Sequence, residues 1–168
     1  MKNIVLIGMP GCGKSTFGKR LAKRLGCRFY DADEVLEQRE QRTIKDFFAE
    51  SEDAFRAAET RTLAYLAELE GVVIATGGGA VKRSENMELM KRNGAVVFLD
   101  RKPEQILQNI EGDARPLLAA DKQRIFKLYE ERIELYRKYA DKIVTNTGEF
   151  GRTLASLEGY ARKIAEKG

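Results

Sequence analysis

The sequence contains no histidine and only two cysteines, Cys12 and Cys27. Structural zinc sites are built from four Cys or His ligands, so a site of that kind is excluded on ligand count. The lack of histidine also excludes a Ser-His-Asp triad, a Cys-His pair and two-histidine metal chemistry. Because Cys12 lies inside a glycine-rich loop, we expect two reduced thiols in a cytoplasmic protein rather than a disulfide.

Long apolar runs are also missing. The first run, residues 4–7, is far too short for a signal peptide or a membrane span, and no later stretch approaches the ~20 apolar residues that a span needs. The excess of basic charge is small, with 30 basic against 26 acidic residues and a net charge of +4. We therefore expect a cytoplasmic protein that binds neither a membrane nor nucleic acid.

Strand-like and helix-like patterns alternate along the 168 residues. This alternation is typical of an α/β fold with a parallel sheet between layers of helices. No linker or repeat divides the chain, so we predict a single domain over residues 1–168. Glycines that follow helical patterns at positions 26, 71 and 94 predict left-handed helix ends. The predicted strands are residues 4–7, 28–30, 72–75, 95–99 and 142–145. The predicted helices are residues 14–25, 33–39, 43–49, 52–69, 84–92, 103–110, 122–139 and 150–166.

A glycine-rich loop follows the first strand and reads Gly-Met-Pro-Gly-Cys-Gly-Lys-Ser from Gly8 to Ser15. The spacing is that of the P-loop, whose glycines let backbone N–H groups turn inward around a phosphate. Lys14 then reaches the transferred phosphoryl group, and the Ser15 hydroxyl is a ligand for Mg²⁺. The following helix adds the positive end of its dipole, and Thr16 caps or packs the start of that helix. The loop predicts a small soluble P-loop phosphotransferase.

Two carboxylates, Asp31 and Asp33, follow the second predicted strand. Strand alternation would place both on the same side, at the carboxyl edge of a parallel sheet where ligands bind. Such a pair could hold magnesium through water and accept a proton from a substrate hydroxyl. The alternative is that Asp33 only caps the next helix, and the segment alone leaves both interpretations open.

Weaker signals come from glycines, arginines and one irregular stretch. Gly77–Gly79 after a buried strand indicate either a tight connection or a surface for close approach of a ligand. Arg56, Arg115 and Arg132 are either solvated surface residues or guanidinium groups that bind an anion. Residues 111–121 form either a plain connector or a flap over a site.

Taken together and in this order, these segments resemble the shikimate kinase family over nearly the whole chain. The matching segments are residues 8–16, 31–33, 55–56, 77–80, 115–118 and 132–136. The resemblance implies ATP-dependent phosphorylation of the 3-hydroxyl of shikimate, a step toward aromatic amino acids. No exposed apolar heptad demands a partner, so we expect a monomer. It also implies a nucleoside-monophosphate-kinase-like fold with five parallel strands in the order 2-3-1-4-5. The alternatives are another small-molecule kinase of this fold, such as a gluconate kinase, and a nucleotide-binding regulatory module without catalysis.

The resemblance also implies roles for individual residues on the acceptor side. Asp33 would bind the shikimate hydroxyls and act as base, within a substrate-binding region of about residues 32–60. Arg56 and Arg132 would grip the shikimate carboxylate. The backbone of Gly78 and Gly79 would lie beside the substrate ring.

The remaining implied roles concern ATP and Mg²⁺. Asp31 would hold the metal ion through water, beside Ser15 in direct contact. Arg115 would be catalytic with Lys14 and Asp33, and it would lie in a lid of about residues 111–122 that closes on the phosphates. The implied nucleotide contacts are Gly11, Cys12, Gly13, Lys14, Ser15, Thr16 and Arg115.

The sequence departs from the family pattern at several positions. Ser51 stands where the family usually has glycine, and Glu134 stands where many relatives have proline. Many relatives also carry a basic residue that stacks on adenine shortly before the lid, where this chain has Gln108 and Asn109. The segment 145–147 leaves the fifth strand on the nucleotide side and is a candidate for the missing adenine contacts.

Overall fold

The computed structural model of the chain describes residues 1–111 and 119–168. Within these residues one sheet has the strand order β2-β3-β1-β4-β5, and each neighbouring pair of strands is parallel. The order and the parallel direction of the strands are those that the family resemblance implied. The strands are β1 Asn3–Ile7, β2 Phe29–Asp31, β3 Val73–Ala75, β4 Gly94–Asp100 and β5 Lys142–Thr145.

Helices connect the strands as in other parallel sheets. They are α1 Lys14–Leu25, α2 Ala32–Glu40, α3 Ile44–Glu50, α4 Glu52–Ala67, α5 Ser84–Arg92, α6 Pro103–Glu111, α7 Ala119–Tyr139 and α8 Phe150–Glu166, with a short 3₁₀ turn at Ala80–Lys82. The bounds of α1, α5 and α8 agree with the sequence prediction. No helix in the described ranges is both long enough and apolar enough to cross a membrane.

The main core lies on both faces of the sheet. Every residue of β1 and of β4 is buried, which explains why both strands read as continuous apolar runs instead of alternating ones. At the edge of the sheet, β5 leaves Ile143 exposed. A second, smaller core joins α2, α3 and α4 through the buried residues Leu36, Phe47, Phe55 and Ala58. All four residues lie within the predicted substrate-binding region of about residues 32–60.

Two of the three predicted glycine helix ends are wrong. Gly26 does end α1 in the left-handed conformation. Gly71 has a positive φ of 66°, but α4 already ends at Ala67, so Gly71 belongs to the turn into β3. Gly94 is the first residue of β4, and a Cβ there would lie 2.5 Å from the carbonyl oxygen of Met90. Close packing of the chain, not a helix end, therefore explains Gly94.

The entry into α4 is sound despite the departure at Ser51. The Ser51 hydroxyl accepts a hydrogen bond from the backbone N–H of Ala54 at 2.9 Å and so caps the helix. The long helix α7 runs without a break through Glu134, where many relatives have proline. Both departures are therefore compatible with the local structure.

Candidate active site

The glycine-rich loop lies at the end of β1, between β3 and β4. Gly8, Gly11 and Gly13 all have positive φ values, of 151°, 79° and 101°. At Gly8 a Cβ would also lie 2.7 Å from the carbonyl oxygen of Leu99, so a side chain has no room. The loop leads directly into the N-terminus of α1 at Lys14, and this arrangement is a ready-made site for a phosphate.

Lys14 is buried within this loop. Its Nζ donates hydrogen bonds to the carbonyl oxygens of Gly8 at 2.7 Å and Met9 at 2.9 Å. The Sγ atom of Cys12 lies 3.6 Å from the same nitrogen, and the Cys12 side chain is fully buried. The loop thus holds one ammonium charge in a fixed position beside its inward-turned backbone.

Asp31 links the loop to α2. Its Oδ2 accepts a hydrogen bond from the Ser15 hydroxyl at 2.5 Å, and its Oδ1 accepts from the backbone N–H groups of Asp33 at 3.0 Å and Glu34 at 3.3 Å. Asp31 is therefore the cap of α2, and the alternative that Asp33 only caps this helix is wrong. The proposed strand alternation is wrong as well, because α2 begins at Ala32 and places Asp33 in its first turn.

The surroundings of Asp33 favour the protonated form of its carboxyl group. Burial, together with the nearby carboxylates of Asp31 and Glu59, raises its pKa to about 6, while the ammonium of Lys14 acts in the opposite direction. A carboxyl with this pKa is mostly ionised at neutral pH and is still a better proton acceptor than an ordinary aspartate. A cavity of about 360 Å³ joins it to the loop. The lining residues are Pro10, Gly11, Gly13, Lys14, Ser15, Thr16, Asp31, Asp33, Thr76, Gly77 and Gly78.

The three glycines after β3 are packed too closely for side chains. A Cβ on Gly77 would lie 3.0 Å from Oε2 of Glu59, and one on Gly78 would lie 2.6 Å from Cδ of Pro10. A Cβ on Gly79 would collide with the guanidinium group of Arg56. The glycines therefore let the arginine, the buried carboxylates and the phosphate loop come together at one backbone segment.

Arg56 is held by two glutamates. Its Nη1 donates to Oε1 of Glu59 at 2.9 Å, and its Nε donates to Oε1 of Glu52 at 3.4 Å. Glu59 is only 2% exposed, and its Oε2 has no hydrogen-bond partner. Burial raises the pKa of Glu59, and the guanidinium groups of Arg56 and Arg132 oppose this. Glu59 was not predicted from the sequence, although its i,i+3 spacing from Arg56 was a usable signal.

Arg132 reaches the same region from α7. It acts electrostatically on Glu59, as Arg56 does, so the two predicted arginines face one buried carboxylate. One turn later, Tyr136 donates a hydrogen bond from its hydroxyl to the carbonyl oxygen of Gly78 at 2.6 Å. Burial raises the pKa of Tyr136 to about 12, against the effect of Arg132. Tyr136 is a second residue whose contribution the sequence analysis did not foresee.

Another cavity, of about 370 Å³, lies on the other side of the phosphate loop. Its lining residues are Gly11, Gly13, Thr16, Phe17, Arg101, Asn109, Asn146, Gly148 and Phe150. Asn146 comes from the predicted segment 145–147, and its Nδ2 donates to the carbonyl oxygen of Cys12 at 3.1 Å. A larger cavity of about 480 Å³, between β5 and α8, is lined by Thr145 and Thr147 of the same segment but by none of the other predicted site residues.

Arg115 and the other residues from 112 to 118 lie outside the part of the chain that the structure describes. The last part of the predicted lid, residues 119–122, forms the start of α7. Within the described ranges, no three His, Cys, Asp or Glu side chains form a group that could hold a metal ion. The donor set near the loop is instead one hydroxyl and one carboxylate, Ser15 and Asp31, and both are oxygen ligands of the kind that Mg²⁺ takes.

The phosphate loop lies where the strand order of the 2-3-1-4-5 sheet reverses, and a carboxyl pair and two arginines lie beside it. These features define a P-loop kinase. The family model for shikimate kinase matches residues 10–160. A shikimate kinase from Clostridium botulinum (strain Eklund 17B / Type B) is 46% identical over 165 residues, which is 98% of this chain and 98% of that protein. The chain belongs to the shikimate kinase family.

Solved structures agree with this assignment. A shikimate kinase from Acinetobacter baumannii in complex with shikimate is 36% identical, with a TM-score of 0.81 over 99% of this chain and 92% of that chain. A gluconokinase from Sinorhizobium meliloti covers 99% of this chain and 94% of its own, but at 19% identity and a TM-score of 0.62 it shows the fold alone. The predicted family, fold class and enzyme class, an ATP-dependent shikimate kinase, are thereby confirmed.

Proposed function

We propose that the residues gathered around the phosphate loop transfer the γ-phosphoryl group of ATP to the 3-hydroxyl of shikimate. One observation carries this proposal: Asp33 and Arg56 lie against the glycine segment beside the loop, and Arg132 acts electrostatically on Glu59, which lies against the same segment. A proton acceptor and two guanidinium groups next to a phosphate site suit an acceptor with a hydroxyl and a carboxylate.

In the transfer step Asp33 accepts the proton of the 3-hydroxyl as the oxygen attacks the γ-phosphorus. The bond from that phosphorus to the oxygen bridging it to the β-phosphate breaks, and ADP leaves. Lys14 lies where it neutralises charge on the transferred group, and backbone N–H groups from Gly11 to Thr16 hold the phosphates. Phosphoryl transfer needs mainly positioning and charge stabilisation, so histidine is not required.

Magnesium fits the oxygen donors at the loop. Ser15 would bind the ion directly and Asp31 would bind it through water, and their existing hydrogen bond already sets the two side chains side by side. When bound, the ion neutralises phosphate charge and favours in-line transfer. Arg115 completes this proposal as the residue that closes on the phosphates from the lid.

The charges on the acceptor side favour one carboxylate in the substrate. Among the described residues, Arg56 pairs with Glu59 and Glu52, whereas Arg132 acts on Glu59 but forms no ion pair of its own, so its positive charge is left over. A carboxylate on the acceptor balances that charge, and bidentate contacts would fix its orientation. We propose further that the chain acts as a monomeric single domain in the cytoplasm, without a membrane or nucleic-acid partner, in keeping with its small net charge.

An assay of ADP release with several acceptors tests the proposal. Shikimate, quinate, gluconate and AMP would each be offered at equal concentration with ATP and Mg²⁺. We expect turnover with shikimate and little with the other three acceptors. Turnover with gluconate or AMP but none with shikimate would contradict the proposed acceptor, and ATP binding without any phosphorylated product would favour a regulatory module.

A further inference from the structure

Arg101 carries a buried charge that no described residue pairs. Its side chain is only 9% exposed, and its Nε is buried without a hydrogen-bond partner. The other charged side chains buried within the described ranges do have partners: Lys14 contacts loop carbonyls, Arg56 pairs with Glu59, and Asp100 accepts from a tyrosine. An unpaired buried charge is strongly unfavourable, so the guanidinium group calls for an anion from outside the chain.

The position of Arg101 is fixed next to the phosphate loop. It directly follows β4, and the carbonyl oxygen of the preceding residue, Asp100, accepts a hydrogen bond from the backbone N–H of Asn146 at 2.8 Å. Asn146 in turn donates to Cys12 of the loop at 3.1 Å. On α6, the Cγ2 of Ile106 lies 3.2 Å from where a Cβ on Gly11 would be. The strand end, helix and loop therefore form one packed unit around Arg101.

The two cavities at the loop indicate which part of a ligand Arg101 would meet. Both cavities are lined by Gly11, Gly13 and Thr16, but only one contains Asp31 and Asp33, and only the other contains Arg101. A nucleotide whose terminal phosphate faces Asp33 therefore extends across the loop toward Arg101. The phosphate nearest to the nucleoside then lies on the side of Arg101.

The remaining lining of that cavity is suited to a nucleoside and carries no acid. Phe150 is 39% exposed and stacks on Phe17 with 4.6 Å between ring centroids, so it offers an aromatic surface. Asn109 and Asn146 supply neutral polar groups. Among the described residues that line this cavity, Arg101 has the only positive charge, and none of them is a carboxylate that competes for it.

We propose that Arg101 is a nucleotide-binding residue whose guanidinium group binds the α-phosphate of the nucleotide. This inference rests on the proposed function for the presence of a nucleotide, but not on the identity of the acceptor. Asn109 of α6 lines the same cavity but is neutral. The positive charge on this side of the loop comes instead from Arg101, at the end of β4. The contact holds the nucleotide on the side of the loop opposite to Asp33.

Binding measurements without an acceptor test this role. We would measure the affinities of ADP, AMP and adenosine by calorimetry for the wild type, Arg101→Met and Arg101→Lys. Loss of a charge-assisted contact should weaken ADP and AMP about 10-fold or more in Arg101→Met, with part of the loss recovered in Arg101→Lys. Adenosine, which has no phosphate, should bind with unchanged affinity.

The matched control is Lys102→Met, which removes the same charge one residue away. Lys102 is largely exposed, hydrogen-bonds Tyr129 at 3.2 Å and does not line the cavity, so its loss should leave all three affinities within about twofold. The melting temperature of the ligand-free protein is a second readout. Because methionine removes an unpaired buried charge, Arg101→Met should melt at the wild-type temperature or above it.

Several outcomes would overturn the inference. Unchanged ADP and AMP affinities in Arg101→Met would remove the phosphate contact, and an equal loss for adenosine would move the contact to the base or ribose. A variant that melts far lower or fails to fold would show that Arg101 has a structural partner in the chain. If shikimate were not the acceptor, ADP would still bind the wild type but shikimate would not be turned over. That result is distinguishable from a failure of the Arg101 contact.

Discussion

The two sides of the phosphate loop differ in how their charges are arranged. On the acceptor side, charged and polar groups already hold one another: Arg56 pairs with Glu59 at 2.9 Å, and Tyr136 donates to Gly78 at 2.6 Å. On the nucleotide side, Arg101 has a buried nitrogen without a partner, and Phe150 leaves much of its ring exposed. The acceptor side is thus largely preorganised by contacts within the chain, although Oε2 of Glu59 has no hydrogen-bond partner there, whereas on the nucleotide side the charge of Arg101 is left for a ligand to satisfy.

This difference has a consequence for how substitutions act. Where groups already bind each other, loss of one member leaves its partners unpaired and disturbs the whole cluster. Where a group has no partner, its loss removes a ligand contact and leaves the free protein intact. The two sides can therefore be told apart by measuring which ligand a substitution weakens and whether it also destabilises the folded protein.

The largest expected effect is at Lys14, which lies on the boundary between the two sides. Lys14→Met should lower kcat about 1000-fold, because the charge next to the transferred phosphoryl group is lost. Shikimate affinity should stay within about twofold, since the acceptor contacts come from other residues. Steady-state kinetics and shikimate calorimetry check this, with Lys19→Met, an exposed position of the same helix, as control. Unchanged turnover would contradict the role of Lys14.

Asp33 should give the next largest effect, through its proton. Asp33→Asn keeps the shape of the side chain but does not accept a proton at neutral pH, so kcat should fall several hundred-fold, within the range of about 100 to 10,000 for general bases. The exposed Asp46→Asn is the matched control and should behave as wild type. A loss of less than about tenfold would show that another group takes the proton.

The wild-type pH profile sharpens this prediction. Because the pKa of Asp33 is raised to about 6, its proton-accepting form is lost as the pH falls through that value. We expect kcat/KM for shikimate to drop about tenfold per pH unit below pH 6, while the small residual activity of Asp33→Asn stays flat over the same interval. A wild-type profile that stays level down to pH 4.5 would exclude Asp33 as the base.

Arg132 tests whether the acceptor carboxylate is bound where the charges suggest. Arg132→Ala should weaken shikimate binding by about 2–4 kcal/mol, because a desolvated carboxylate loses a charged partner. ADP affinity should not change, since Arg132 does not line the cavity on the nucleotide side. Arg137→Ala removes an exposed arginine of the same helix and serves as control. Equal shikimate affinity in both variants would place the carboxylate elsewhere.

Asp33 should also affect folding stability, with a sign that depends on pH. Its folded pKa of about 6 lies above the ordinary value of 3.8, so the proton binds the folded state better. The stabilisation is complete below pH 3.8 and is lost as the pH rises through 6. Asp33→Asn avoids this loss and should be more stable than wild type by about 1–2 kcal/mol at pH 8, but not at pH 4. Denaturant titrations at both pH values measure this, and equal stability at pH 8 would contradict the prediction.

The sequence predicted the sheet well because its strands carry their own signal. The continuous apolar runs at β1 and β4 and the glycine loop between β1 and α1 are local patterns, and they give nearly correct bounds. Predictions from the sequence were wrong where one residue type has two possible structural explanations. Gly94 follows a helix, but the carbonyl of Met90, which lies against it, explains the glycine, and this contact is not visible in a pattern of residue types.

The site shows the same division. The phosphate loop was predicted from spacing alone. The position of Asp33 after a strand left its role as proton acceptor open, and the roles of Arg56 and Arg132 were predicted only through the resemblance to a family. Glu59, Tyr136 and Arg101 were not predicted, because what distinguishes each is burial or a contact with a residue distant in the sequence. Tyr136, for example, is 58 positions away from the glycine whose carbonyl it binds.

The smallest effect is expected at Tyr136, where the preorganised side can be weakened by a single oxygen. Tyr136→Phe keeps the ring that stacks on Phe98 but leaves the carbonyl of Gly78 without its donor. Gly78 lies against Pro10 of the phosphate loop, so a shift of its backbone should raise the KM for shikimate about 5- to 10-fold, with little change in the KM for ATP. The control is Tyr129→Phe, which removes another tyrosine hydroxyl of α7, bound to Asp100 at 3.0 Å. Both variants should lose about 1 kcal/mol of stability, but only Tyr136→Phe should change the KM for shikimate. If both variants changed it equally, the hydroxyl of Tyr136 would only stabilise the fold, and the acceptor side would not depend on it for its geometry.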